Sequence, residues 1–325
     1  MIAPSLPAEL KSALEQKLLG LPRDAAAGRA ASISKTYRDG GNSRAIKSET
    51  DALAYALARM PATYAAVAAS LNALGEIRPD FAPQSLLDAG AGPGTASWAA
   101  AEAFSSLTSF ALLDDNPALR ALALELARGS TRLGELSYDK GEARALLAQS
   151  EPADLVIASY VIGELDETAR TGLAASLWSK TRDTLVIVEP GTPAGTQRIL
   201  ALRRQLIAAG AHVAAPCPHD GPCPLAAPDW CHFTQRLPRS RAHMQMKGAE
   251  VPFEDEKFAY VALTRAPAAI HPARVLAQPV VGKAEIAAKL CTAEGVVNAR
   301  IPHRVKADYA RARRWRWGDA VMDEP

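Results

Sequence analysis

The sequence predicts an α/β protein, a parallel sheet wrapped by crossover helices, with a helical lead-in before it and a small β-rich extension after it. Two observations predict the sheet. From Ser85 to Gly210, short apolar runs alternate with helical ones, the βαβ pattern that imposes parallel pairing and right-handed crossovers. In the first of these units, glycines at 90, 92 and 94 separate strand from helix, as a nucleotide-binding turn requires. A third observation concerns the end of the sheet. Three of the four cysteines fall between Pro216 and Arg236, in a stretch too rich in proline for helix or central strand. With few apolar side chains to bury, that stretch is expected to be a metal-held insertion. The organisation expected is an N-terminal helical region over 1–80, an α/β domain over 81–265 with the Cys-rich insertion at 216–236, and a C-terminal β extension with a basic tail over 266–325.

Composition narrows the function classes. A hydrophobic content of 48% with 22% charged residues is that of a globular protein with a sizeable core. The net charge of +2 is too small for a nucleic-acid footprint over the whole molecule, so a basic partner surface must be local. The apolar run Ala52–Leu74 is broken by Arg59, Pro61 and Tyr64, which argues against a membrane span. The opening residues lack the pattern of a secretion or import signal. Four clustered cysteines suit a reducing compartment better than a disulfide framework.

Taken in order, Leu10, Leu14, Leu18 and Leu19 stand at helical spacing, with Gly20 and Pro22 as the stop. A polar loop is expected at Asp39–Asn42. Ser48, with Asp51 three residues on, predicts a helix start, and Ala52, Leu53, Ala56, Leu57 and Met60 form its apolar face. Pro61 is expected to open a second helix, which Gly75 ends. Next, SLLDAGAGPGTAS reads as a short strand, a glycine turn and a helix start, and SFALLDDN as a strand with acids at its end. DLVIASYVIGEL reads as a strand and loop and TLVIVEPG as a strand, with helices between these strands and after the last. After the insertion, CHFTQRL and KFAYVALTR alternate like an antiparallel pair at the sheet edge. Short β segments follow, then the basic, helix-like ADYARARRWRW.

The turn Asp88-Ala-Gly90-Ala-Gly92-Pro-Gly94 lacks the dinucleotide spacing G-x-G-x-x-G, because residue 95 is threonine. A carboxylate at the end of the next strand, Asp114, can hold ribose hydroxyls. The set LLDAGAGPGT, LLDDNP, DLVIASYVIGEL and VIVEPG resembles the class I methyltransferases, a Rossmann-like fold that uses S-adenosylmethionine. That resemblance implies S-adenosylmethionine as cofactor. Asp88, Gly90, Gly92 and Gly94 would line its methionine end and Asp114 its ribose, with Asp115 the adjacent alternative. The Asn/Asp-Pro-Pro-aromatic run of amine-methylating members is replaced here by Ser159-Tyr160-Val161-Ile162-Gly163-Glu164. Glu164, Glu189 and Tyr160 are polar candidates for the pocket, but no catalytic base stands out.

The cysteines read C-x5-C-x7-C, with Cys291 about sixty residues later. Both intervals are wider than the knuckles of structural zinc sites. Cys-Pro pairs at 217 and 223 suit iron–sulfur ligation, while His219 and His232 keep a Cys/His zinc site open and Asp220 is a hard-ligand decoy. The segments CPHDGPCPL…DWCHFTQRLPR, together with AYALARMPATYAAV before and ARRWRWGD after them, resemble the methyltransferase-like assembly factors of the ribosomal small subunit. The resemblance covers the chain from about Ser32 onward. It implies that Cys217, Cys223, Cys231 and Cys291 hold a [4Fe–4S] cluster, with zinc the alternative. It also implies that the partner is small-subunit ribosomal RNA in an immature subunit. A bacterial, cytoplasmic member, monomeric off the ribosome, is expected. Independently of the resemblance, the cysteine segment ends in Arg236, Arg239 and Arg241, and the tail carries Arg304, Lys306, Arg311, Arg313, Arg314 and Arg316 among Tyr309, Trp315 and Trp317. Arginine beside aromatics can contact phosphate and stack on unpaired bases. The alternative is a basic helix docked on the protein's own acidic face.

Overall fold

The computed structural model describes residues 1–18, 28–29, 43–241, 243–244 and 249–322. The expected stop at Gly20 and Pro22 and the loop at Asp39–Asn42 lie outside these residues. Among the described residues one sheet has eight strands, in the order β3-β2-β1-β4-β5-β8-β6, with β7 also pairing β8. These are β1 (Ser85–Ala89), β2 (Ser109–Asp114), β3 (Glu135–Lys140), β4 (Ala153–Ser159), β5 (Thr181–Pro190), β6 (His212–Ala215), β7 (Phe233–Pro238) and β8 (Phe253–Thr264). The pairings from β3 through β5 are parallel, and β8 runs antiparallel to its neighbours.

Apolar side chains on both faces of the strands explain why helices cover both sides. Leu86, Leu112, Leu155 and Val186 pack with helices α1 (Ala8–Leu18), α2 (Glu49–Ile77), α3 (Thr95–Ala103) and α4 (Pro117–Ala127). Their neighbours Leu87, Leu113, Val156 and Ile187 pack on the other face with α5 (Ala143–Gln149), α6 (Glu167–Ser179) and α7 (Pro193–Ala208). The mixed, Rossmann-like sheet is thus the expected one.

Three details differ from the sequence expectation. The two helices expected on either side of Pro61 are one helix, α2, which runs through Pro61 and Gly75. Pro61 removes one helical hydrogen bond, but α2 buries residues along both halves, and that burial outweighs the lost bond. Gly75 does not have the positive φ of a terminating glycine. Strand β8 is internal rather than an edge: β5 pairs it on residues 258–264, β6 on 262–264 and β7 on 253–258. The insertion leaves the ladder between β6 and β7. Finally, β3, α5 and β6 are elements that the sequence pattern did not reveal.

The extension forms a second sheet from β9 (Ala273–Val275), β10 (Val280–Val281), β11 (Glu285–Thr292), β12 (Gly295–Pro302) and β13 (Ala320–Val321). Its own core joins Val275, Ile286, Leu290 and Ile301 to Ala312 of helix α8 (Lys306–Ala312).

Candidate functional site: a nucleotide cleft and a cysteine cluster

Parallel strands end together on one side of the sheet, so the loops after β1, β2, β3 and β4 meet there. They enclose a cavity of about 210 Å³ whose wall includes Gly90, Gly92, Asp114, Glu142, Tyr160 and Glu164. Gly90, Gly92 and Gly94 all have positive φ, which a side chain would strain. Gly90 is also pressed against the β4 loop, where an added Cβ would lie 2.7 Å from the Cβ of Val161.

Asp114 does two things at this turn. Its Oδ2 accepts the Gly92 N–H at 2.9 Å and its Oδ1 accepts the Asn116 N–H at 2.8 Å. Each oxygen keeps a lone pair for a further donor, such as a ribose hydroxyl. Burial raises the Asp114 pKa. Asp88, by contrast, lies beneath the turn rather than on the cavity wall. It is fully buried, and Oδ2 accepts from the Ser97 N–H (3.2 Å) and hydroxyl (2.8 Å) in the first turn of α3, while Oδ1 has no partner. Burial pushes its pKa up to about 7, against the lowering effect of Ser97. Gly94 is the residue before α3.

The three polar candidates of the β4 and β5 loops have different situations. Glu189 is buried and engaged by the Arg198 Nε at 2.7 Å and the Gly163 N–H. Tyr160, held at φ 58°, donates its hydroxyl to Glu256 Oε1 at 2.9 Å, and Arg59 pairs with the same oxygen. Glu164 lines the cavity, accepts from the Ser43 backbone and hydroxyl, and is pushed by burial up to about 7. Sequence reasoning missed Tyr138 of β3, whose hydroxyl donates to the Gly92 carbonyl at 2.7 Å, and Asn116, whose amide ties the Ser43 and Ile46 carbonyls beside the cleft. Pro117 after Asn116 was the available signal, since Asn-Pro marks a helix start.

The cysteine stretch is gripped from two sides. On the sheet side, the Thr196 hydroxyl donates to the Cys231 carbonyl, the Trp230 indole to the Gly191 carbonyl, and Arg203 Nη2 to the His219 carbonyl at 2.5 Å. On the extension side, Arg274 Nε donates to the Pro216 carbonyl, Lys289 pairs with Asp229, and the Trp317 indole donates to the His232 carbonyl. His232 also stacks on Trp230 and meets the edge of Trp317. Cys217, Cys223 and Cys231 line one small cavity with Arg203. Cys291 lies in β11, in register with Arg274 of β9, and is not on the wall of that cavity. Burial raises the pKa of Cys231, and Cys217, Cys223 and Cys291 raise it further. Burial likewise pushes Cys291 up to about 12, with Cys217 and Cys223 adding to it. The structure thus brings three of the four cysteines onto one cavity, with Cys291 close enough to act on them electrostatically. Among the described residues, no group of three or more Cys, His, Asp or Glu side chains stands at metal-ligand geometry. The donor types nevertheless suit a thiophilic metal: three thiols border one cavity with the buried Arg203, whose Nε is left without a partner.

The predicted RNA residues divide into two groups. Arg236 makes a bidentate pair with Asp255 at 2.8 Å and lies over Phe253, and Arg239 is engaged by Glu254. Arg311 pairs with Asp308. Lys306, Arg313 and Arg314, with His303 and Tyr309, line an exposed concavity along α8. Arg304 and Arg316 are exposed near it. Trp315 packs on the extension core and Trp317 on His232, so neither indole is a free stacking platform.

Strand order, glycine turn and the carboxylate after β2 define a Rossmann-like, methyltransferase-like protein. The chain belongs to the family described as Mitochondrial small ribosomal subunit Rsm22, whose model matches residues 49–322. It is 32% identical over 290 residues to the human protein named Ribosome assembly protein METTL17, mitochondrial, covering 83% of this chain and 62% of that one. It is 29% identical over 211 residues to Rsm22-cox11 tandem protein 2, mitochondrial, of Schizosaccharomyces pombe, covering 59% of this chain and 28% of that one. The chain therefore spans less than two thirds of these curated relatives. Among solved structures, it is similar to the magnesium protoporphyrin IX methyltransferase of Synechocystis PCC 6803 with bound SAM. The TM-score there is 0.41 at 14% identity, covering 67% of this chain and 84% of that one. An O-methyltransferase family protein from Burkholderia thailandensis also has a TM-score of 0.41 at 11% identity, covering 68% and 60%. The fold assignment rests on strand order and not on these likenesses. No helix among the described residues is long and apolar enough to cross a membrane.

Proposed function

We propose that this chain is a methyltransferase-like factor that binds S-adenosylmethionine, holds a [4Fe–4S] cluster on Cys217, Cys223, Cys231 and Cys291, and acts on small-subunit ribosomal RNA during ribosome assembly. The observation that carries the reading is the extent of the family match. It runs from 49 to 322 and so takes in the glycine turn, all four cysteines and α8. In this reading the free lone pairs of Asp114 hold the ribose, and the backbone of Gly90–Gly92 lies against the methionine end. Bound S-adenosylmethionine supplies an electrophilic methyl group. Glu164 is the one of the three polar candidates that combines a place on the cavity wall with a pKa near neutrality. The RNA surface is reduced from the sequence expectation to the α8 side, where Lys306, Arg313 and Arg314 offer phosphate contacts. Arg236 and Arg239 are ion-paired with Asp255 and Glu254, so this reading gives them less weight than the α8 side.

Crosslinking of RNA to the chain in cells tests the proposal. Small-subunit ribosomal RNA is expected among the crosslinked species, and its recovery should fall when Arg313 and Arg314 are both changed to Glu. Absence of small-subunit RNA from the wild-type crosslinks sinks the ribosomal reading. Metal and sulfide analysis after anaerobic purification tests the cluster, and stoichiometric zinc without iron sinks that part.

A further inference from the structure

Arg203, in the wall of the cysteine cavity, and Arg274, the strand partner of Cys291, are two buried cations. Arg203 is 3% exposed and Arg274 1%. Among the described residues neither forms a salt bridge. Arg203 donates to the His219 carbonyl, and Arg274 donates to the Pro216 and Gly318 carbonyls. Glu76 and Asp319 act on Arg274 only at longer range. Arg203 Nε is buried without an acceptor and belongs to the cavity lined by Cys217, Cys223 and Cys231. A buried guanidinium with no carboxylate and an unused N–H is costly, so the fold must supply it with negative charge from elsewhere.

We infer that Arg203, with Arg274 behind it, is the charge-compensating residue of an anionic four-thiolate metal centre. The inference rests on the proposed ligation by the four cysteines. Four thiolates outweigh the positive charge of a zinc ion or of an oxidised iron–sulfur core, leaving a dianionic centre in either case. Two buried cations balance it. Hydrogen bonds to ligand sulfur and nearby charge are also the protein's levers on a cluster's reduction potential, and added positive charge favours the reduced, more negative state. Arg203 is a positioning and tuning residue, not a ligand.

The test uses the full chain purified without oxygen, as wild type, R203Q and R203K. Iron, sulfide and zinc are measured, and the iron form is titrated to its midpoint potential by electron paramagnetic resonance. R203Q is expected to lower the reduced-to-oxidised ratio at fixed potential about tenfold, about 59 mV for one electron. R203K keeps the charge but loses the bond to the His219 carbonyl, and should stay close to wild type. Potentials unchanged in both variants, or lowered equally in both, overturn the inference while leaving the cluster in place. If the wild type carries zinc without iron, the iron–sulfur reading fails, yet Arg203 is still tested. Chelator should then strip zinc several-fold faster from R203Q and not from R203K, and equal rates overturn the assignment. A wild-type chain with neither metal overturns both. Should R203Q fail to fold, R203M serves as the second neutral replacement.

Discussion

Gly90 and Asp88 illustrate how one short turn divides its work. Gly90 must be glycine on two counts, its positive φ and the side chain of Val161 against it. Gly90→Ala is expected to weaken S-adenosylmethionine binding at least tenfold in calorimetry, with the secondary structure intact. Binding at wild-type strength would show that the turn does not form the cofactor's seat. Asp88 is buried with a pKa near 7, well above the unfolded carboxylate value of about 3.9. Between those values the folded chain keeps a proton that the unfolded chain has lost. Stability from this group is therefore present at acid pH and declines as pH rises from about 4 to about 7. Asp88→Asn copies the protonated acid and should flatten that decline in melts recorded from pH 5 to 7.5. Glu164, shifted in the same direction and to about the same value, leaves a residual slope. An unchanged slope in the variant would refute the assignment to Asp88.

Among the elements, α2 shows what the sequence makes legible and what it does not. Its start was readable from Ser48 and Asp51. The Ser48 hydroxyl accepts the Asp51 N–H at 3.1 Å and Asp51 accepts the Ser48 N–H at 3.0 Å, a complete capping box. Ser48→Ala should cost about 1 kcal/mol in denaturant unfolding. Its continuation through Pro61 was not readable, because a local rule about proline was outweighed by burial against the sheet and neighbouring helices. Strand β3 was missed for the opposite reason. ELSYDK buries Tyr138 alone and lies at the sheet edge, so it has neither an apolar run nor clear alternation. The glycine turn, Asp114 and the four cysteines could all be found in the sequence, since each is marked by residue type. Arg203 was findable in principle. It shares an apolar face with Ile199, Leu202 and Leu206, where a charge is out of place. What the sequence could not show is that Arg239 is matched by Glu254 and that Trp317 is matched by His232, because those partners meet only in the folded chain.

At the scale of the molecule, the insertion is the joint between two sheets. Its contacts with β9, β11 and Trp317 hold the extension, and its contacts with α7 and the loop after β5 hold the main sheet. Under the proposed ligation, metal binding contributes folding energy at that joint. Removing the metal should therefore raise amide exchange in β9, β11 and β12 before it does so in β1, β4 or β5. Cys291→Ser should lower metal content and melting temperature about as much as Cys217→Ser does. Uniform exchange across both sheets after chelation, or normal metal content in Cys291→Ser, would show that Cys291 is not part of the joint.

The separation of the fourth thiol from the other three also sets an order in time. A growing chain presents Cys217, Cys223 and Cys231 while β11 has not yet been made, so under the proposed ligation the site lacks its fourth thiol throughout that interval. Under that ligation, Cys291 can join the other three only once β11 has been made and has paired with β9. In that reading, a chain that stops short of β11 has the cavity beside its glycine turn but only three of the four proposed ligands.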